Sequence, residues 1–131
     1  MPFLADTNVL SELVRPRPNR GVAEWAARVT RIAISVVTLE EIAFGLSSKP
    51  NDRIAKWFER FFTDACDLLP VTPAIAERAG VMRGQLRAKG ITRSPADMLI
   101  AATAQAHHLT LVTRNVRDFD ECPIEVLNPF A

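Results

Sequence analysis

The sequence is poor in the residues that carry most covalent and soft-metal chemistry. It has two cysteines, Cys66 and Cys122, and two histidines, His107 and His108. The cysteines lie far apart and form no ligand-spaced pair, so reduced, buried thiols are expected. The histidines are adjacent, so on a helix they point to different faces and make no i, i+4 metal pair. Lysine is scarce as well. Of sixteen basic residues only Lys49, Lys56 and Lys89 are lysines, which leaves thirteen arginines. Arginine suits phosphate recognition through its planar fork of donors, although codon bias in the source genome explains the excess equally well. The net charge of +1 names no partner. No run of about 18 apolar residues is present, so no membrane span is expected. No charged-then-apolar leader precedes Asp6, which points to a cytoplasmic protein. Repeats, low-complexity stretches and linkers are also missing, and 131 residues fit a single domain, 1–131.

What is present is an alternation of short apolar runs and amphipathic stripes. Phe3-Leu-Ala5 reads as a buried strand. Arg15-Pro-Arg-Pro-Asn19 is a loop, and Asn19 can cap a helix with the stripe Val22, Trp25, Ala26 and Val29. Ile32 to Val37 is mostly β-branched and predicts a second strand, with Thr38 starting a helix that carries Leu39, Ile42 and Leu46 on one face. Ile54, Trp57, Phe58, Phe61 and Phe62 form the most hydrophobic helical stripe. Leu68 to Val71 is a strand candidate weakened by Pro70. Thr72-Pro73 and Ser94-Pro95 each open a helix with a cap and a proline at its first position, and Gly90 can close the first of them. Leu109 to Thr113 and Ile124 to Leu127 are the last strands. This order predicts an α/β fold: a three-layer α/β/α sandwich around a central, mostly parallel sheet.

Acids and amides recur where strands meet helices or loops: Asp6, the pair Glu40-Glu41, Asp97, and the segment from Asn115 to Asp118. In α/β folds, ligands bind outside the carboxyl ends of strands. Carboxylates converging there repel unless a cation lies between them, and hard oxygen ligands favour Mg²⁺ or Mn²⁺. Such a cation suits phosphodiester hydrolysis. Capping explains the same residues differently. Asp6 can cap the next helix, Thr38-Leu-Glu-Glu41 reads as a capping box, and Ser94-Pro-Ala-Asp97 fits its acidic form. Helical spacing does not separate Glu40 from Glu41.

Four segments carry a resemblance in register: Asp6-Thr-Asn-Val-Leu-Ser-Glu12, Thr38-Leu-Glu-Glu41-Ile-Ala-Phe-Gly45, Pro95-Ala-Asp97-Met-Leu-Ile-Ala-Ala-Thr103 and Thr113-Arg-Asn115-Val-Arg-Asp118-Phe119. Together they resemble the PIN-domain family, and within it the VapC-type toxins of bacterial toxin–antitoxin pairs. The resemblance implies a Mg²⁺- or Mn²⁺-dependent endoribonuclease acting on an RNA substrate, assembled as a homodimer and silenced by a small antitoxin. It makes Asp6, Glu41 and Asp97 the metal-holding acids, with Glu41 chosen because it lies four residues before Gly45. The departure is at the fourth place. Many relatives have Asp directly after Thr-Arg, where this chain has Asn115, with Asp118 three residues on. Either one can complete the site. Thr7, Asn8 and Thr113 are candidates to hold the acids in place.

Two rivals stand beside this reading. A receiver-like phosphoacceptor domain would carry an acidic pair after the first strand and a late lysine, but this chain has one Asp6 and no lysine after Lys89. A PIN-like domain that binds RNA or a partner without cutting would keep the fold while losing the acids. Arg83 and Arg87, four apart, form either a solvated face or an RNA phosphate track. The Trp57–Phe62 stripe is core, or in part a contact with a partner.

Overall fold

The computed structural model describes residues 2–131. In chain order the elements are β1 (Phe3–Ala5), α1 (Thr7–Leu13), α2 (Arg20–Ala27), β2 (Ile32–Ser35), α3 (Val36–Ser48), α4 (Asp52–Asp64), β3 (Cys66–Leu69), α5 (Pro73–Ala88), α6 (Pro95–Ala106), β4 (Thr110–Val112), a 3-10 turn (Val116–Phe119) and β5 (Val126–Leu127).

Most helix starts follow from their caps. The Asn19 Oδ1 accepts from the Gly21 and Val22 amides, the Thr72 Oγ1 from Ile75, and the Ser94 Oγ from Asp97. Gly90, in the left-handed region at φ 83°, closes α5 while the Ile91 amide returns to the Leu86 carbonyl at 2.9 Å. One start differs from the sequence reading. The β2 strand stops at Ser35, whose Oγ accepts from the Val37 amide at 3.0 Å, and α3 begins at Val36. The β-branched Val36 and Val37 argue for strand, but a serine cap outweighs so weak a propensity. Thr38 therefore lies inside α3, fully buried, its hydroxyl without a protein partner, and no capping box forms there.

The sheet order is β3-β2-β1-β4-β5, and every pairing is parallel. Side chains alternate across it. Leu4, Ala33 and Leu111 face a core built with Ile75, Ala79, Met82 and Leu86 of α5 and Met98 and Ala101 of α6. Ala5, Ile32, Ile34 and Val112 face the opposite core, with Val9 and Leu10 of α1, Val22 and Trp25 of α2, and Phe58 and Phe61 of α4. The result is the expected three-layer sandwich. The direction of travel reverses at β1: β2 and β3 extend to one side, β4 and β5 to the other. A crevice opens at such a reversal, at the carboxyl ends of the strands.

The stripe on α4 is spent on the second core. Phe58 and Phe61 are buried, Trp57 and Phe62 are half-buried, and Trp57 stacks on Phe61 with ring centroids 5.4 Å apart. It is not an open partner face. The exposed large hydrophobic side chains are instead Phe44, Leu68, Val81, Val116 and Leu127.

Asn19 also ties down the end of the described chain. Its Oδ1 accepts from the Ala131 amide at 3.0 Å and its Nδ2 donates to the Ala131 carbonyl at 3.2 Å. Gly21 lies beneath this tail, where a Cβ would collide with the Pro129 carbonyl oxygen. Gly21→Ala is therefore expected to destabilise the protein by about 1–3 kcal/mol, as overpacking does, despite alanine's better helix propensity. Urea unfolding measures this; an equal or higher stability would mean that the tail is not seated on α2.

Candidate active site

The crevice at the reversal is built on Asp6 and Thr113, the first residues past β1 and β4. The Asp6 amide continues the sheet by donating to the Val112 carbonyl at 2.9 Å. Its side chain is 7% exposed and accepts three hydrogen bonds: from the Thr7 amide (2.8 Å), the Asn8 Nδ2 (3.2 Å) and the Thr113 hydroxyl (2.9 Å). Asp6 thus caps α1 and stands in the crevice at once, so capping and a site role are compatible. Thr113 is fully buried, and its Oγ1 also accepts from the Asn8 Nδ2 (3.2 Å) and the Asn115 amide (3.1 Å). The Asn8 Oδ1 accepts from the Arg114 amide at 3.0 Å, which fixes the orientation of that side-chain amide. These bonds clamp β1 to β4 and leave Asp6 little freedom.

Glu41 and Asp97 arrive from two helices. Glu41 is exposed on α3, and its Oε1 accepts from the Thr7 hydroxyl at 2.8 Å. That bond distinguishes Glu41 from Glu40, which has no part in the crevice. Asp97 lies in the first turn of α6 beyond the Ser94 cap. Burial pushes its carboxyl above the usual carboxylate range. The Ser94 hydroxyl opposes this, and the negative charges of Asp6, Asp118 and Glu41 add to the rise.

Asp6, Glu41, Asp97 and Asn115 line one open cavity of about 540 Å³. Asn115 is exposed there, at the foot of the 3-10 turn. Asp118, at the far side of that turn, does not line the cavity, although its charge is felt at Asp97. Sequence reasoning missed the opposite rim. Arg114 lies over the Phe130 ring, 5.0 Å from its centroid, and both line the cavity. Arg114 lies within the Thr113–Phe119 segment but is not one of its acids or amides, and Phe130 lies in no motif, so no pattern pointed to the pair. Glu12 lines it too, but its carboxylate is engaged by the Asn19 amide (2.7 Å) and by Arg15 (3.2 Å), which hold it below the usual carboxylate range.

The donor set fits a hard divalent cation in kind: carboxylate and amide oxygens, with no sulfur or imidazole. Among the described residues no arginine or lysine forms an ion pair with Asp6, Glu41 or Asp97. Nor are three acids drawn together into a ready-made cage. Glu41 rests on Thr7. The histidines lie elsewhere. His107 caps the C-terminus of α6, ten residues or about 15 Å from Asp97 along the axis. Cys66 opens β3 at the other end of the sheet, and burial pushes its thiol up to about 11.

Comparison with known proteins agrees with this fold. The PIN domain family model matches residues 3–124. The chain is 30% identical to VapC ribonuclease Y4jK of Sinorhizobium fredii, over 98% of this chain and 97% of that one. It is 31% identical to Toxin FitB of Neisseria gonorrhoeae, over 98% of each. A solved toxin–antitoxin complex from Klebsiella pneumoniae superposes with a TM-score of 0.76, at 30% identity and 97% coverage of both chains. From a parallel sheet that reverses at β1, with acids gathered at its mouth and likeness along nearly its whole length, the chain belongs to the PIN-domain family, among its VapC-type members.

Proposed function

We propose that this protein is a divalent-metal-dependent endoribonuclease, the toxin of a toxin–antitoxin pair. The observation that carries the reading is the convergence of Asp6, Glu41 and Asp97 on one open cavity, none of the three held in an ion pair among the described residues. These three acids would hold Mg²⁺ or Mn²⁺, with Asn115 as a neutral fourth oxygen ligand and Asp118 adding charge from behind. When bound, such an ion would make a nearby water more acidic and stabilise charge on the reacting phosphate.

The chain's own residues do the rest. The Thr7 amide, Asn8 and Thr113 fix the Asp6 carboxylate before anything binds, so little reorganisation is needed during the reaction. The Thr7 hydroxyl holds Glu41 within reach of the same cavity. Arg114 presents a positive charge at the rim, and Phe130 beside it offers an aromatic face to an unstacked base. The rim is open, which suits a loop or single strand rather than a closed pocket for a small molecule.

The Klebsiella complex supports a small antitoxin as partner. Phe44, 70% exposed and three residues beyond Glu41 on α3, is an apolar anchor from which a bound chain would reach over the acids. A homodimer is the assembly the family resemblance favours, and light scattering of the free protein tests it.

RNA cleavage is expected with Mg²⁺ or Mn²⁺ and not in excess chelator. The ion should also raise the melting temperature, because it binds the folded chain only. Cleavage that persists in chelator, in a preparation free of contaminating nucleases, would overturn the metal reading. RNA binding without cleavage would favour the non-cutting rival.

Glu41→Gln keeps an oxygen for the Thr7 hydroxyl, so it should fold normally yet lose most cleavage, whereas Glu40→Gln should cut like the parent. Equal activity in the two variants would reject the assignment of Glu41.

Asp97→Asn should lower cleavage by orders of magnitude. In metal-free protein at neutral pH its stability should hold or rise. The sign follows from the raised carboxyl: an acid whose folded pKa exceeds its unfolded value favours the fold below the unfolded pKa, and that stability is lost as pH rises through the folded one. The gain from the variant should therefore shrink as the metal-free protein is acidified. Were Asp97 only a helix-start charge, its loss would cost about 0.3–1 kcal/mol and leave cleavage intact; thermal melts and RNA cleavage on one preparation decide.

A further inference from the structure

On α5, Gly80, Arg83, Gly84 and Arg87 recur at helical spacing and share one face. That face and the following loop, with Thr92 and Arg93, enclose a cleft of about 180 Å³. Three arginines line it and no carboxylate does. Among the described residues none of the three forms an ion pair. Arg93 donates through one terminal nitrogen to the Arg117 carbonyl at 3.0 Å, while its Nε is buried with no acceptor. A buried donor without a partner is costly.

The glycines are a second, independent observation. Both stand inside a helix, where glycine is less favourable than alanine. Apart from its chain neighbours and the backbone of its own helix, a Cβ on either would meet nothing within 4 Å, so no packing partner requires glycine there. Their bareness leaves the helix surface open beside the arginines, where a ligand can come close to the backbone. Unpaired guanidiniums around a small open cleft match the size, charge and acceptor geometry of a phosphate.

We propose that this cleft takes a backbone phosphate of the substrate RNA, outside the cleavage centre. This rests on the RNA-cleaving reading above. The two places share their supports. Arg93 immediately precedes Ser94, the cap of the helix that carries Asp97, and it is bonded to the 3-10 turn that carries Asp118. A strand leaving the acidic cavity past the start of α6 runs towards the arginines. A second copy of the chain is a poorer occupant, because a two-fold contact on this face would set the same arginines against each other.

The test uses Arg83→Gln, Arg87→Gln and the double variant, with the exposed Arg60→Gln on α4 as a charge-matched control. Binding of a labelled single-stranded RNA is measured against salt in the Glu41→Gln background, so that no cutting intervenes. The slope of log affinity against log salt should fall by about 0.7 for each phosphate no longer neutralised and stay unchanged in the control. In cleavage assays the weakening should appear in KM for a long RNA. Gly84→Ala should raise the melting temperature and weaken RNA binding together, a pairing that a purely structural residue does not produce. If the parent cuts RNA while the arginine variants bind with unaltered slope, the cleft proposal is overturned and the RNA reading stands. If the parent neither binds nor cuts RNA, both fall. If the arginine variants change the oligomeric state by light scattering, the face belongs to a second copy and the proposal is wrong.

Discussion

The hydrogen bond from the Thr113 hydroxyl to the Asp6 carboxylate joins the carboxyl ends of β1 and β4, where the sheet reverses. Two neighbouring parallel strands end there, and beyond the bond from the Asp6 amide to the Val112 carbonyl the ladder between them stops. A fully buried threonine joins them past that point, with three hydrogen bonds through one oxygen. The consequence is electrostatic as much as structural. A nearly buried aspartate is kept in place by donors rather than by a basic partner, so its charge stays available to whatever enters the crevice. An arginine in the same position would stabilise the carboxylate and at the same time cancel it.

The other acids are held less firmly, and the differences follow from their elements. Asp97 is fixed by the first turn of α6, whose inward face is packed with Met98, Ile100 and Ala101. Glu41 stands on the exposed side of α3 with one bond to Thr7. One carboxylate is rigid, one is set by a helix end, and one is free to swing. Packing on both faces of the sheet supports the frame against the repulsion among them. The raised Asp97 carboxyl shows that repulsion, added to burial, in the metal-free fold.

Much of this was legible in the sequence because it is local. Asp6 after an apolar run, Thr72-Pro73 and Ser94-Pro95 are start signals read within four residues, and each lies where expected. The two-faced core was legible from alternating apolar runs and stripes. Other readings shifted or stayed open: β3 runs over Cys66–Leu69 rather than Leu68 to Val71. At Thr38 two local rules competed, and Ser35 won as cap over a β-branched run. At the Trp57–Phe62 stripe the pattern was right and its use was not decidable, since a core and a partner face have the same periodicity. What no pattern contained was proximity across the chain: Phe130 beside Arg114, the tail over Gly21, Glu41 rather than Glu40 on Thr7. The resemblance favours Glu41 over Glu40, and the hydrogen bond from the Thr7 hydroxyl places Glu41, not Glu40, beside Asp6's helix.

A net charge of +1 conceals a division that matters more than the sum. The ion pairs of the fold join Arg15 to Glu12, Arg20 to Glu24 and Arg31 to Asp67. Asp6, Glu41 and Asp97 of the crevice and the arginines of α5 are not among them, so each region keeps its field. Such an arrangement is unfavourable for the isolated chain, and mutual neutralisation would be the simpler solution for stability alone. It makes sense for a polyanionic ligand. A nucleic acid strand brings negative charge to both places, tolerable at the arginines directly and at the acids only through a cation. If the proposed readings hold, the same separation would make binding strength depend on salt and reaction at the crevice depend on metal, so the two steps would answer to different solution conditions.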